Sequence, residues 1–174
     1  MDIVEFAMKM EKDGQAYYEK LASETDNAEL KNILSELAEE ETRHYEYFRR
    51  LKENPEDVSG GESLSGSKTL DKARNIFEQL AEIKREEPYG EDMVSAWTFA
   101  LRNEEKAEQF YKDKAKSESN EGKKILLLKI AAEEHNHIHM VAGVIMYLKS
   151  PTTFADSAQY KDFRSAEGWD SDKF

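Results

Sequence analysis

One pattern is used twice along this chain. Adding 93 to a residue number carries Glu11 onto Glu104, Glu41 onto Glu134 and His44 onto His137. The same step carries Tyr17-Tyr18 onto Phe110-Tyr111 and the turn residue Asp26 onto Ser119. Acidic residues, aromatic residues and a turn agree on one register, which is the mark of an internal structural repeat. Each copy reads as a glutamate followed, thirty residues later, by Glu-x-x-His. The two copies are Glu11 with Glu41-Thr42-Arg43-His44, and Glu104 with Glu134-His135-Asn136-His137.

The periodicity around these residues is helical. Only three prolines occur (Pro55, Pro88 and Pro151), and all fall between periodic segments. Val4, Ala7, Met8, Glu11, Tyr18, Leu21 and Ala22 share one face by steps of three and four. Asp26, with Glu29 three residues on, reads as a capping box that opens a second helix. Its stripe runs through Leu30, Leu34, Leu37, Ala38, Glu41, His44, Tyr45, Phe48 and Leu51. So short a turn between two helices predicts an antiparallel hairpin. Val94, Trp97, Ala100, Leu101, Glu104, Ala107, Tyr111 and Ala115 form a third stripe. The fourth includes Leu127, Ile130, Ala131, Glu134, His137, Val141, Val144 and Leu148, which completes a second hairpin. No strand-like alternation competes, so the expected fold class is all-α, a four-helix bundle of two repeated hairpins.

Composition divides the rest. The hairpins occupy residues 1–52 and 90–149, and a linker with one short helix joins them over 53–89. Asn54-Pro55-Glu56-Asp57 and Ser59-Gly60-Gly61 mark the linker, while Leu70, Ala73, Ile76, Phe77, Leu80 and Ile83 mark the short helix. Residues 1–149 therefore read as one bundle domain. Residues 150–174 read as a tail whose Phe154, Tyr160, Phe163, Trp169 and Phe174 pack on the bundle or on a partner chain.

Charge and composition narrow the function. Asp and Glu total 37 against 25 Lys and Arg, a net charge of −12. Binding to nucleic acid needs a basic face, and none is present. No cysteine occurs, so disulfides, thiolate nucleophiles and Cys-held zinc or iron–sulfur sites are excluded. The most apolar stretch, residues 125–148, is interrupted by Lys129, Glu133, Glu134, His135 and His137, short of the roughly 20 apolar residues of a membrane span. The first residues lack the basic-then-apolar pattern of a secretory signal. The expectation is a soluble cytoplasmic protein with no nucleic-acid or membrane partner.

The six repeated residues sit within apolar stripes, not on the charged outer faces. A buried ionised carboxylate is costly unless something compensates it. Four in one core repel one another, and some are pushed toward protonation. Two divalent cations remove the conflict, because four carboxylates balance two such ions and two neutral imidazoles complete the ligand set. Residues three apart on a helix project to one side, so each Glu-x-x-His presents both groups to one site. Tyr18 and Tyr111 stand two turns along the same face as Glu11 and Glu104, either as groups behind the ligands or as core aromatics. In the run Glu39-Glu40-Glu41, Glu41 reads as a ligand and the other two as outward charges. His135 and His139 lie on a different face from His137, as solvated or hydrogen-bonded side chains or as a surface metal pair. Gly14 and its counterpart Ala107 are small, which suggests room beside the glutamates for an oxidant. A bulky residue at Gly14 is then expected to impair oxidant access and to spare metal binding.

Together, Glu11-x6-Tyr18, Glu41-x-x-His44, Glu104-x6-Tyr111 and Glu134-x-x-His137 resemble the rubrerythrin-like branch of the ferritin-like di-iron proteins, over both hairpins. The resemblance implies a ferritin-like bundle with two iron ions; manganese and zinc suit the same ligands. It implies that Glu41 and Glu134 bridge the metals, that Glu11 and Glu104 bind terminally, and that His44 and His137 supply one nitrogen each. It also implies a homodimer, and the linker is long enough for helices to be exchanged between chains. Two departures stand out. Full-length rubrerythrins append a Cys-ligated rubredoxin module, which a chain without cysteine cannot contain, so electrons are expected from a separate donor protein. They also carry an extra glutamate three residues after the third-helix ligand, where this chain has Ala107. The leading expectation is a di-iron oxidoreductase acting on hydrogen peroxide or dioxygen. The alternatives are a ferroxidase and, in another class, a structural bundle that metal only staples.

Overall fold

The computed structural model describes residues 3–56, 75–81 and 87–154. Helix α1 spans Ile3–Glu24, α2 Ala28–Glu53, α3 residues 75–81, α4 Glu91–Ser117, α5 Glu121–Lys149 and α6 Pro151–Phe154. Among the described residues there is no strand, and no helix is long and apolar enough to cross a membrane. The architecture is the all-α bundle of two hairpins that the periodicity predicts, with α1 packed on α2 and α4 packed on α5.

The caps correct one expectation by a single residue. Asn27, not Asp26, caps α2, and its side chain accepts from the Leu30 amide at 2.8 Å. Asn120, not Ser119, caps α5, accepting from the Lys123 amide at 3.0 Å. The step of 93 is kept. Such a cap stabilises a helix by about 1 kcal/mol. Asn27 does a second thing that an aspartate cannot. Its amide nitrogen donates to the Tyr89 hydroxyl at 3.2 Å, tying the first turn to the segment that enters α4.

Cross-hairpin contacts set the directions of the helices. Phe6, near the start of α1, meets Phe110 near the end of α4 with ring centres 5.0 Å apart. Tyr17, near the end of α1, meets Phe99 at 5.3 Å and donates to the Ala96 carbonyl at 2.9 Å, near the start of α4. Helices α1 and α4 are therefore antiparallel, and α2 and α4 run the same way. A parallel pair needs a connection that travels back along the bundle, which accounts for the long segment between α2 and α4.

The core is in two apolar blocks. One gathers Leu30, Leu34, Leu37, Phe77, Leu80, Trp97, Val141 and Val144, among others. The other gathers Ala7, Phe48, Leu51, Tyr111, Leu127 and Ile130. Between them in every long helix lies a polar layer: Glu11 after Ala7, Glu41 and His44 before Phe48, Glu104 after Ala100, and Glu134 and His137 before Met140. Helix α3 docks on the first block because α5 has no side chain at Gly143. A Cβ there would lie 2.8 Å from Phe77 Cζ. The start of the tail also packs on the bundle, with Phe154 buried 5.8 Å from the Phe77 ring and 5.5 Å from that of Tyr147. Leu70, Ala73 and Ile83 of the expected short helix lie outside the described residues, as do Tyr160, Phe163, Trp169 and Phe174 of the tail.

Candidate metal centre

All six repeated residues converge in the polar layer, and all are buried. Ligand atoms of Glu11, Glu41, His44 and Glu134 lie within 4.8 Å of one another, and so do those of Glu41, Glu104, Glu134 and His137. Glu41 and Glu134 belong to both groups, so the geometry is two adjoining positions that share two carboxylates. Both imidazoles turn Nδ1 inward. His44 Nδ1 lies 3.0 Å from Glu134, 3.3 Å from Glu11 and 4.0 Å from Glu41. His137 Nδ1 lies 3.3 Å from Glu134, 3.4 Å from Glu104 and 3.7 Å from Glu41. The two rings are 5.7 Å apart and nearly parallel.

The tyrosines close the layer crosswise. Tyr18 of the first copy donates to Glu104 of the second, and Tyr111 of the second donates to Glu11 of the first. Both are buried core aromatics and hydrogen-bond donors at once.

Electrostatics show what this layer lacks. Burial, and then the charge of Glu134, holds the Glu41 carboxyl well above the usual range. Burial likewise raises Glu104, and contact with His137 works against it, leaving it at about 7. Burial disfavours charge on His137, but its contacts with Glu104 and Glu134 raise it to about 9. His44 is driven up as well: burial opposes its charge, and Glu134, Glu11 and Glu133 outweigh that. Glu134 is held low, its burial outweighed by the two imidazoles. The carboxylates are competing for too little positive charge.

The hydrogen bonding fits a cation. Both carboxylate oxygens of Glu134 and both ring nitrogens of His137 are buried and make no hydrogen bond. The imidazoles beside Glu134 are at ion-pair distance without the alignment of a bond. A buried polar atom left without a partner costs about 1–3 kcal/mol. Divalent ions in the two positions would satisfy the Glu134 oxygens and His137 Nδ1 and balance the four carboxylates, leaving only His137 Nε2, on the far side of its ring, without a partner. Oxygen and imidazole donors in this mixture suit iron, manganese and zinc.

The rubrerythrin family model matches residues 2–145. The chain belongs to the rubrerythrin family. It is thereby placed among the ferritin-like di-iron proteins, and the buried Glu/His layer is where that family membership and the geometry meet. No curated protein and no solved structure matches the chain.

A cavity of about 460 Å³ opens onto the centre of this rubrerythrin from the α1–α4 side. Glu11, Glu41 and Glu104 line it, together with Gly14, Phe99 and Ala107. Gly14 does more than leave space. A Cβ there would lie 3.1 Å from Glu41 Cδ and 3.3 Å from Oε2, tighter than such contacts normally are. A side chain at this position would therefore press on the shared carboxylate as well as narrow the cavity.

Two residues at the site escape the sequence reading. Glu40, taken there as an outward charge, is 2% exposed, while its neighbour Glu39 does face outward. Glu133 is buried too and accepts from His44 Nε2 at 2.9 Å. The repeat already carried the signal, because the step of 93 takes Glu40 onto Glu133. Glu108, next to Ala107, turns away from the centre to pair with Lys112 at 2.6 Å and with His135 Nδ1 at 2.9 Å. His135 and His139 complete that outer chain, Nε2 to Nε2 at 3.0 Å, as hydrogen-bonded side chains.

Proposed function

We propose that this rubrerythrin is a di-iron oxidoreductase that reduces hydrogen peroxide or dioxygen with electrons from a separate donor protein. The observation that carries the proposal is the pair of buried Glu/His groups sharing Glu41 and Glu134, open on one side to a cavity large enough for a small oxidant. An iron pair held here would supply the two electrons that, with two protons, reduction of one peroxide to two waters takes up. The protein's own part is positional. Glu41 and Glu134 would hold both ions, with Glu11 and His44 on one and Glu104 and His137 on the other. Tyr18 and Tyr111 fix the outer carboxylates from behind. The apolar blocks above and below keep bulk water from the layer, so the cavity is the access route.

The separate donor is proposed because these 174 residues hold no cysteine to ligate a rubredoxin-type iron. A homodimer is the proposed assembly, checked by light scattering. Ferroxidase activity is the second reading, and Ala107 favours it. At that position rubrerythrins have an extra glutamate, and the cavity is lined by alanine instead.

The test is metal analysis of the purified protein, with its spectrum before and after peroxide. Two irons per chain and optical bands that change on oxidation support a redox centre. Zinc with no spectral response means a metal-stapled bundle. Peroxide turnover with an external donor, set against turnover of added ferrous iron, then separates reductase from ferroxidase.

A further inference from the structure

The repeat makes the two halves of the centre equivalent in sequence, but the structure breaks the equivalence behind the histidines. His44 Nε2 lies 2.9 Å from a Glu133 oxygen. A carboxylate only accepts, so this contact places a proton on Nε2, and a divalent ion displacing the Nδ1 contact with Glu11 at 3.3 Å would meet the Nδ1 lone pair of a ring held by Glu133. The counterpart contact, from Glu40 to His137, is absent: His137 Nε2 is buried and makes no hydrogen bond.

One substitution between the copies accounts for the difference. The residue three after Glu40 is Arg43, and the residue three after Glu133 is Asn136. Residues three apart on a helix are neighbours. Arg43 forms an ion pair with Glu40, drawing its carboxylate toward the half-exposed guanidinium. Asn136 carries no charge to draw Glu133 in the same way, and Glu133 turns to the histidine of the other hairpin. The carboxylates of Glu40 and Glu133 remain close, since both have an oxygen within 4.8 Å of each other and of a His44 nitrogen. The arginine therefore also offsets what would be a repulsive acid pair behind His44.

We infer that the two metal positions are inequivalent: Glu133 is a positioning residue that makes the His44 position the tighter one, and Arg43 withholds the same support from the His137 position. The inference rests on the reading that this layer binds two divalent ions. A carboxylate behind a ligating imidazole fixes its tautomer and ring orientation and raises its basicity, and its loss typically weakens metal binding about 10- to 100-fold.

The experiment is a titration of the metal-stripped full chain with Co²⁺, followed by calorimetry and by the visible absorption of the bound ion. Wild type is expected to fill in two steps of unequal affinity. Glu133→Ala should weaken the tighter step about 10- to 100-fold and leave the other in place. Glu133→Gln, which keeps an acceptor for Nε2–H, should recover much of that loss. Arg43→Asn changes an exposed side chain and copies the second hairpin, so it should tighten the weaker step by freeing Glu40 for His137. Two equal steps in wild type, equal weakening of both steps by Glu133→Ala, or an unmoved weaker step in Arg43→Asn would each overturn the inference while leaving the two-metal reading intact. Wild type that takes up no Co²⁺ would overturn both.

Discussion

The hydroxyl of Tyr18 on α1 donates to the carboxylate of Glu104 on α4, and its repeat counterpart Tyr111 donates to Glu11 in the opposite sense. Each hairpin thus holds the other's outer glutamate. Removing the donor leaves a buried carboxylate short of a partner, at about 1–3 kcal/mol. Tyr18→Phe is expected to lower stability by that amount in urea unfolding while the chain still binds two metals. Unchanged stability would show that the hydroxyl contact contributes nothing.

Gly14 lies directly against Glu41, which is shared by both metal positions. Gly14→Ala is therefore expected to weaken both metal-binding steps, read by calorimetry. Ala107→Gly removes a methyl group from the opposite wall of the same cavity and should leave both steps nearly unchanged. Full metal affinity in Gly14→Ala would return the glycine to the role of clearing space for the oxidant.

The metal-free protein should lose stability as pH rises. Glu104 sits at about 7 against an ordinary 4.5, and His137 at about 9 against 6.5. A group raised on folding contributes stability that is full below its unfolded value and is lost as pH passes its folded value. For Glu104 the loss falls between 4.5 and 7, and for His137 between 6.5 and 9. Glu134 is shifted downward, so its contribution is lost only in acid. The unfolding midpoint of metal-stripped protein should fall from about pH 5 to about pH 9. Bound divalent ions should flatten that slope, and a slope unaffected by metal would count against the six residues as ligands.

Gly143 is the seat of Phe77. A methyl group there meets the ring at 2.8 Å, and over-packing of this kind typically costs about 1–3 kcal/mol. Gly143→Ala is expected to lower the unfolding midpoint accordingly with metal stoichiometry retained, because the contact lies in the apolar block beyond the polar layer. A melting curve identical to wild type would mean that α3 shifts without loss.

Much of the bundle could be read before any coordinates, for a definite reason. A period of 3.6 residues makes a buried face visible as a stripe, so Leu34, Leu37, Trp97 and Val141 declared themselves. Glu11, Glu41, His44, Glu104, Glu134 and His137 stood out because they interrupt those stripes in both copies. Caps were less legible: Asp26 and Asn27 both offer a side-chain oxygen at the right spacing, and the contact of Asn27 with Tyr89 is long-range. Glu40 was misread for a related reason. It borders the apolar stripe, and whether a bordering residue is covered depends on the neighbouring helix.

The repeat and its six interrupting residues were determined by the sequence alone, since periodicity and register are properties of one chain read along its length. The tertiary structure decided everything that depends on what faces what across the bundle. It crossed the two tyrosines between hairpins, set Gly14 against Glu41, and brought Glu133 to His44 Nε2. Helical periodicity assigns a side chain to a face. Which group meets it there is set by packing and by local competition for charge, as in the ion pair that Arg43 makes with Glu40 where the other copy has Asn136.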